Sequence, residues 1–334
     1  MRYSDDDKAL IMLSADATLK KRISAFESVE HPRELYDDFS QADEMIAKMQ
    51  EHGVVAITRL NESYPQALLD IYDPPIVLYC RGNLDLLKSR KIAVVGTRKA
   101  TRYGKDVTKL FVEAFVDKDI CVVSGMARGI DSVAHRVALD CGGKTIAVVA
   151  TGLDQVYPAE NLSLAQEIIS NGLMISEYPI GTTVHAYRFP ERNRIVSGLA
   201  ESVLIPEAGL QSGSMITADC ALEQGKELFV VPGSIFAQQS QGTNRKIKEL
   251  QGTIVTDPTD IVGDLQAKDE QQQVQLSIEQ HMILDMLDGE VHFTELLEKS
   301  KMGVSALSAL LSEMEIYGLV RKISGNYYVK CPMI

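Results

Sequence analysis

With 334 residues, 45% of them hydrophobic and 24% charged, the chain is long enough for two or three folded domains and has the composition of a globular protein. It contains no apolar run long enough to span a bilayer, and its opening Met-Arg-Tyr-Ser-Asp-Asp-Asp has no apolar signal-peptide core, so a cytoplasmic protein with no membrane partner is expected. A net charge of −12 argues at first sight against a polyanionic ligand, but the charge is unevenly placed and it is the field at a site that matters.

Residues 5–51 have helical spacing and no strand signal, with twelve acids against seven bases over 1–51. A small helical domain over 1–52, of the SAM or helix-hairpin-helix kind, is expected there. Residues 53–91 read as an entrance to a second domain, punctuated by Tyr64-Pro65 and Asp73-Pro74-Pro75, with Ile76–Tyr79 as an added edge strand. Charge then reverses: residues 81–105 carry eight bases against the single acid Asp85.

From residue 92 the chain takes on a regular beat. Apolar, β-branched runs start near Ile92, Ile120, Thr145, Leu173, Ser202, Glu227 and Thr253, at intervals of 25 to 29 residues, which is the length of a strand, a crossover helix and two loops. Runs such as Ile92–Val95 and Thr145–Val149 are apolar throughout, so both faces of the sheet are buried. The prediction is a Rossmann-like, doubly wound α/β domain over 53–262, with ligands beyond the carboxyl ends of its strands. A glutamine-containing linker follows over 263–275. Over 276–334, helices at Ile278–Leu287, Phe293–Lys299 and Ser305–Tyr317 precede a hairpin turning at Ser324-Gly325-Asn326, the order of a winged helix. Eight acids against five bases there, with Glu313 and Glu315 on the would-be recognition helix, favour a protein partner or a structural role over phosphate contact.

Three glycine-bearing turns fall at the strand ends: Gly96-Thr97-Arg98, Ser124-Gly125-Met126-Ala127-Arg128-Gly129 and Gln211-Ser212-Gly213-Ser214. Glycine admits close backbone approach, and a helix N-terminus offers free N–H groups and a favourable dipole for anions. Thr97 can bond a phosphate oxygen and Arg98 can grip one bidentately. The dinucleotide fingerprint is missing, since the next glycine after Gly96 is Gly104, so no nicotinamide cofactor is expected. Asp131 is placed to cap the following helix, with His135 one turn on, and no nucleophile accompanies that pair. Phe189-Pro190-Glu191-Arg192-Asn193-Arg194, after Tyr187 and Arg188 and opening a helix over Ile195–Ala200, offers an aromatic platform among guanidinium groups, which suits a stacked base and its phosphates. Internal salt bridges to Glu177 or Glu207 are the competing use for Arg192 or Arg194. The cysteines at 80, 121, 141, 220 and 331 are scattered without metal-ligand spacing, so reduced thiols and no structural metal are expected. Three turns on one sheet edge suit several phosphates of a strand, to be held rather than cut.

Asp73-Pro74-Pro75 with Leu78-Tyr79, the turn ending in Arg98, Ser124–Asp131 with His135, Tyr157-Pro158, Ser176-Glu177, Phe189–Arg194, Ser212–Thr217, and Pro232-Gly233 with Gly242-Thr243-Asn244 together closely resemble the DNA-processing protein A (DprA/Smf) family over about residues 60–255. The resemblance implies a non-catalytic, cofactor-free homodimer that binds single-stranded DNA and hands it to the RecA recombinase during natural transformation. It maps the DNA pocket onto Arg98, the Ser124–Gly129 turn, Phe189 and the Ser212–Ser214 turn. The chain departs from some members by having Ala186 where a lysine precedes the phenylalanine, leaving Arg188 as the adjacent cation. Two other readings compete. A nucleotide-hydrolysing enzyme of the lysine-decarboxylase-like Rossmann group would need paired acids, and Asp219 has no neighbouring glutamate. A ligand-sensing transcription factor would need a basic recognition helix.

Overall fold

The computed structural model describes residues 2–16, 19–263, 277–287, 289–316, 319–323 and 325–330. Helices α1 (Asp5–Asp16), α2 (Leu19–Glu27) and α3 (Ser40–Glu51) lead into strand β1 (Val55–Thr58), the short α4 (Gln66–Leu69) and strand β2 (Val77–Gly82). The alternating part then runs β3 (Lys91–Val94), α5 (Arg102–Asp117), β4 (Cys121–Ser124), α6 (Ile130–Asp140), β5 (Thr145–Val149), α7 (Leu162–Asn171), β6 (Leu173–Ser176), α8 (Arg188–Leu199), β7 (Ser202–Ile205), α9 (Ser214–Glu223), β8 (Glu227–Val230), α10 (Gln241–Lys248) and β9 (Thr253–Ile254).

These nine strands form one sheet in the order β1-β2-β6-β5-β4-β3-β7-β8-β9. From β6 to β9 every pairing is parallel. The order reverses between β3 and β7, where Ala93 pairs with Val203, and this switch point opens the crevice that ligands of such sheets occupy. Side chains alternate between two cores. On β5, Ile146 and Val148 join one core with Ile195 and Val196 of α8, while Ala147 and Val149 join the other with Leu164 and Ile168 of α7. The continuous apolar runs follow directly from this double coverage.

Two expectations for the amino-terminal part change. β2 is not an edge strand: it lies between β1 and β6, antiparallel to both. The amino-terminal helices share a core with the sheet, as Leu10 and Ile11 of α1 pack with Met49, Val54 and Tyr79. Polar ties reinforce the packing: Ser14 Oγ lies 2.6 Å from Tyr79 Oη, Thr58 Oγ1 donates to Asp7 over 2.6 Å, and the Ala56 amide donates to Tyr3 Oη over 2.9 Å. An amphipathic helix carries no signal of which sheet covers it, which is why spacing alone suggested a separate unit.

The second compact unit contains α11 (Ile278–Met286), β10 (Val291–His292), α12 (Phe293–Ser300), α13 (Val304–Ile316), β11 (Val320–Ile323) and β12 (Tyr327–Lys330). Ser277 and Gln280 form a reciprocal capping box at the start of α11. The sheet order is β10-β12-β11, around a core that includes Ile283, Leu296, Leu307, Leu311 and Met314. This is a winged-helix arrangement, with the two-residue β10 as an addition too short to leave a periodic signal. Of the linker expected over 263–275, residues 264–275 lie outside the described residues. Among the described residues no helix is long and apolar enough to cross a membrane.

Candidate nucleic-acid interface

The three glycine turns converge at the carboxyl ends of β3, β4 and β7. The first two are locked to each other and to the third strand. Thr97 N donates to Glu207 O over 2.8 Å, and Ile130 N donates to Thr97 O over 3.2 Å. Gly129 has φ +78°, and a Cβ there would stand 2.2 Å from Thr97 O, so only glycine permits this crossing. Gly96 is equally confined, by Ile130 and Glu207. Helix α5 begins six residues beyond Gly96, capped by Thr101, whose hydroxyl accepts from Gly104 N and donates to Glu207 Oε1 over 2.6 Å. Glu207 is therefore occupied by Thr101 and pairs with neither candidate arginine.

The Ser124–Gly129 turn differs from an open anion nest. Asp131 is not the helix cap, a position taken by Gly129. Its buried carboxylate instead reaches back and accepts from Gly125 N at 3.2 Å and Ala127 N at 3.3 Å. From the other side the buried Arg192 guanidinium donates to the carbonyls of Gly125 and Val148. Two amides of the turn, those of Gly125 and Ala127, are thus already engaged, and Met126 is held at φ +60° between them. Ser124 is buried and donates to Val94 O over 2.6 Å, which removes its hydroxyl from the site. Burial raises the Asp131 pKa, opposed by the positive Arg192, while burial lowers that of Arg192 to about 10, leaving it cationic at neutral pH. His135 is a core residue. It is fully buried with Nδ1 2.6 Å from Thr145 Oγ1, and burial lowers its pKa to about 3.

Helix α8 starts at Arg188, earlier than the expected Ile195, because Pro190 falls in its first turn where a missing N–H costs nothing. Phe189 is half-buried on this turn. Its ring centroid is 5.5 Å from that of Tyr157, and the exposed Arg98 guanidinium lies 5.6 Å from its centroid. Arg188 lies over the Tyr178 ring at 4.9 Å and donates to Thr183 O. Arg194 pairs with the buried Glu177 at 2.7 Å, the structural use that the sequence allowed for it. Asn193 links α8 to the third turn, donating from Nδ2 to Gly213 O over 3.3 Å and accepting from Arg192 Nε. Ser212 and Ser214 pair their hydroxyls at 2.7 Å, and Gly213 stands at the cap of α9.

Between these parts lies a cavity of about 370 Å³. Gly96, Arg98, Gly125, Phe189, Arg192, Asn193, Gly213 and Ser214, among the residues proposed from sequence, line it together with Val95, Asp131, Tyr157, Ala186, Pro190, Val196, Ile216 and Thr217. Thr97 and Ser212 line an adjoining cleft, and Arg128 borders a small recess beside Tyr157 while pairing with Glu160 at 2.7 Å. Ser124, Gly129, Arg188 and Arg194 line none of these three hollows. Asp131 and Asn193 are bonded within the protein, as are Nε and Nη1 of Arg192, so the cavity offers apolar walls, the rings of Phe189 and Tyr157, the buried Arg192 and the exposed Arg98. That combination has the chemistry to suit a flat heterocycle with an anionic substituent at its mouth. Tyr157 and Ile216 were missed as wall residues, although both lie in stretches, Tyr157-Pro158 and Ser212–Thr217, that carry the family resemblance.

A family model described as DNA recombination-mediator protein A matches residues 55–266, and one for the DprA winged helix domain matches residues 267–326. The chain is 41% identical over 217 residues to the DNA processing protein DprA of Bacillus subtilis, covering 65% of this chain and 73% of that one. The X-ray structure of DNA processing protein A from Streptococcus pneumoniae superposes with a TM-score of 0.69 at 33% identity, covering 79% of this chain and 98% of that one. DNA processing protein A from Helicobacter pylori, solved to describe its single-stranded DNA binding mode, gives 0.59 at 34% identity, with 64% and 96% covered.

Proposed function

The chain belongs to the DNA recombination-mediator protein A family, and from that membership and the cavity under Phe189 we propose that it binds single-stranded DNA, protects it and loads RecA onto it during natural transformation. One observation carries the reading: the Phe189 ring with the Arg98 guanidinium above it, both lining one cavity. An unpaired base stacks on Phe189 and enters between the apolar walls, while Arg98 holds the phosphate beside it. A paired base is denied this, since its faces are covered by its neighbours in the duplex. The binding role needs no chemical step, so the protein acts as a mediator and not as an enzyme. Asp219, the acid nearest to a hydrolase role, is engaged by Lys246 at 2.6 Å.

A homodimer accompanies this role. Strand β9 has one neighbour among the described residues and its Ile254 is 52% exposed, an open strand edge that a second copy would cover. The winged-helix unit is assigned a protein partner on the acidity of its sequence. A gel-shift comparison of single-stranded and duplex oligonucleotides tests the binding role, and RecA assembly on strand pre-bound by the protein tests the loading role. Equal affinity for both DNA forms contradicts the first; assembly no faster than on bare strand contradicts the second.

A further inference from the structure

Beyond Arg98 and Gly213 the Phe189 cavity continues into a second cleft of about 680 Å³, with those two residues lining both. Its chemistry is different. The walls come largely from the turn at 209–213 and the turn at 238–241, and they bring four carboxamides beside the single large apolar side chain of Leu210. Gln239 is held by the Thr97 hydroxyl at 2.8 Å. Gln211, Gln238 and Gln241 are exposed, and no hydrogen bond among the described residues uses their side chains. The exposed Lys99 adds one cation to the same cleft.

A carboxamide donates and accepts at once, in the plane and at the spacing of a base edge. In duplex DNA the Watson–Crick edges are hidden, whereas in a single strand they are free. We infer that this cleft is a second nucleotide subsite, which takes the base next to the one on Phe189 by its hydrogen-bonding edge, through Gln211, Gln238 and Gln241, with Lys99 on the intervening phosphate. The inference rests on the single-strand reading proposed above and divides the labour within it. The first cavity stacks a base without reading it, and the second distinguishes bases. The interface therefore carries a base preference that a stacking platform alone lacks.

The test compares the native chain with a Gln238→Ala/Gln241→Ala variant, using labelled oligothymidylates lengthened one nucleotide at a time from the mononucleotide, then oligoadenylate and oligocytidylate of the longest length. Both side chains are exposed, and matching unfolding midpoints confirm an intact fold. The expected result is equal affinity for the mononucleotide, then a loss of about three- to tenfold in the variant once a second nucleotide reaches the cleft, the scale of one or two hydrogen bonds. Differences among the three homopolymers shrink in the variant. Affinities matching the native chain at every length and composition overturn the inference, as does a loss already complete at the shortest length. Failure of the native chain to bind any single strand overturns the single-strand reading itself, and with it the subsite.

Discussion

Asp131 and Arg192 hold the same loop by opposite edges: the carboxylate takes the amides of Gly125 and Ala127, and the guanidinium takes the Gly125 carbonyl. Each charge is buried, and each is compensated by backbone dipoles as well as by the other's field. The loop that borders the cavity is therefore held in place before any ligand arrives, which lowers the ordering cost of the proposed binding.

Gly125→Ala tests this clamp. The new Cβ would lie 2.5 Å from Arg192 Nη1, and that guanidinium is pinned by two carbonyls and cannot retreat cheaply. A loss of about 1–3 kcal/mol in unfolding free energy is expected from such overpacking, with weakened oligonucleotide binding. Urea denaturation and anisotropy titration measure the two effects. Unchanged values for both mean that the clamp yields and the loop is not preset.

The Arg194–Glu177 pair is expected to act on stability alone. Arg194→Ala leaves a buried carboxylate without its cation, at a cost of about 3–5 kcal/mol, whereas replacing both partners with apolar residues, as in Arg194→Met/Glu177→Leu, is far milder. A denaturation cycle over the two single variants and the double variant measures this. If Arg194→Ala unfolds like the native chain but loses DNA, the arginine faces the ligand and the assignment is wrong.

Much of this architecture was legible beforehand, for a physical reason. Buried parallel strands such as Ile92–Val94 and Thr145–Val149 must be apolar on both faces, so their runs and spacing announce themselves. Glycines at strand ends likewise mark turns whose backbone is crowded. Arg98 and Phe189 stand out because they are charged or aromatic beside such turns. The fate of hydrogen-bonding groups was not legible. Arg192 and Arg194 are two residues apart on one helix, and only the packed core decides that one grips a loop while the other pairs with Glu177. The same holds for Asp131, whose local sequence suits a helix cap equally well. The antiparallel β1 and β2 escaped placement because strand order is a long-range property.

Acid should weaken the fold through His135. Thr145 Oγ1 donates to Val122 O and so accepts from His135 Nδ1–H, leaving the imidazole neutral and buried. Its folded pKa of about 3 lies below its ordinary 6.5, so the unfolded chain binds the proton first. This contribution is fully present above 6.5 and is lost progressively as pH falls toward 3. Asp131, with its pKa raised by burial, contributes the opposite sign at acidic pH. Chemical denaturation across that range should give a shallower slope for His135→Leu than for the native chain; parallel slopes would exclude His135 as the source.

Arg98 is expected to act through charge and Phe189 through stacking. Arg98→Ala should weaken binding for every sequence and reduce the salt dependence by about one phosphate contact, with a slope change near 0.7 for a single strand. Phe189→Ala should cost about 1–3 kcal/mol and leave the salt slope nearly as it was. Titrations at several salt concentrations separate the two, and interchangeable behaviour of the variants would falsify the division of roles.

The most direct measurement is the affinity of the native and Phe189→Ala chains for one oligonucleotide presented single-stranded and as its duplex. The account predicts a clear single-strand preference in the native chain that shrinks in the variant, because only an unpaired base reaches the ring. Equal affinity for both forms, or a preference untouched by loss of the ring, would contradict it.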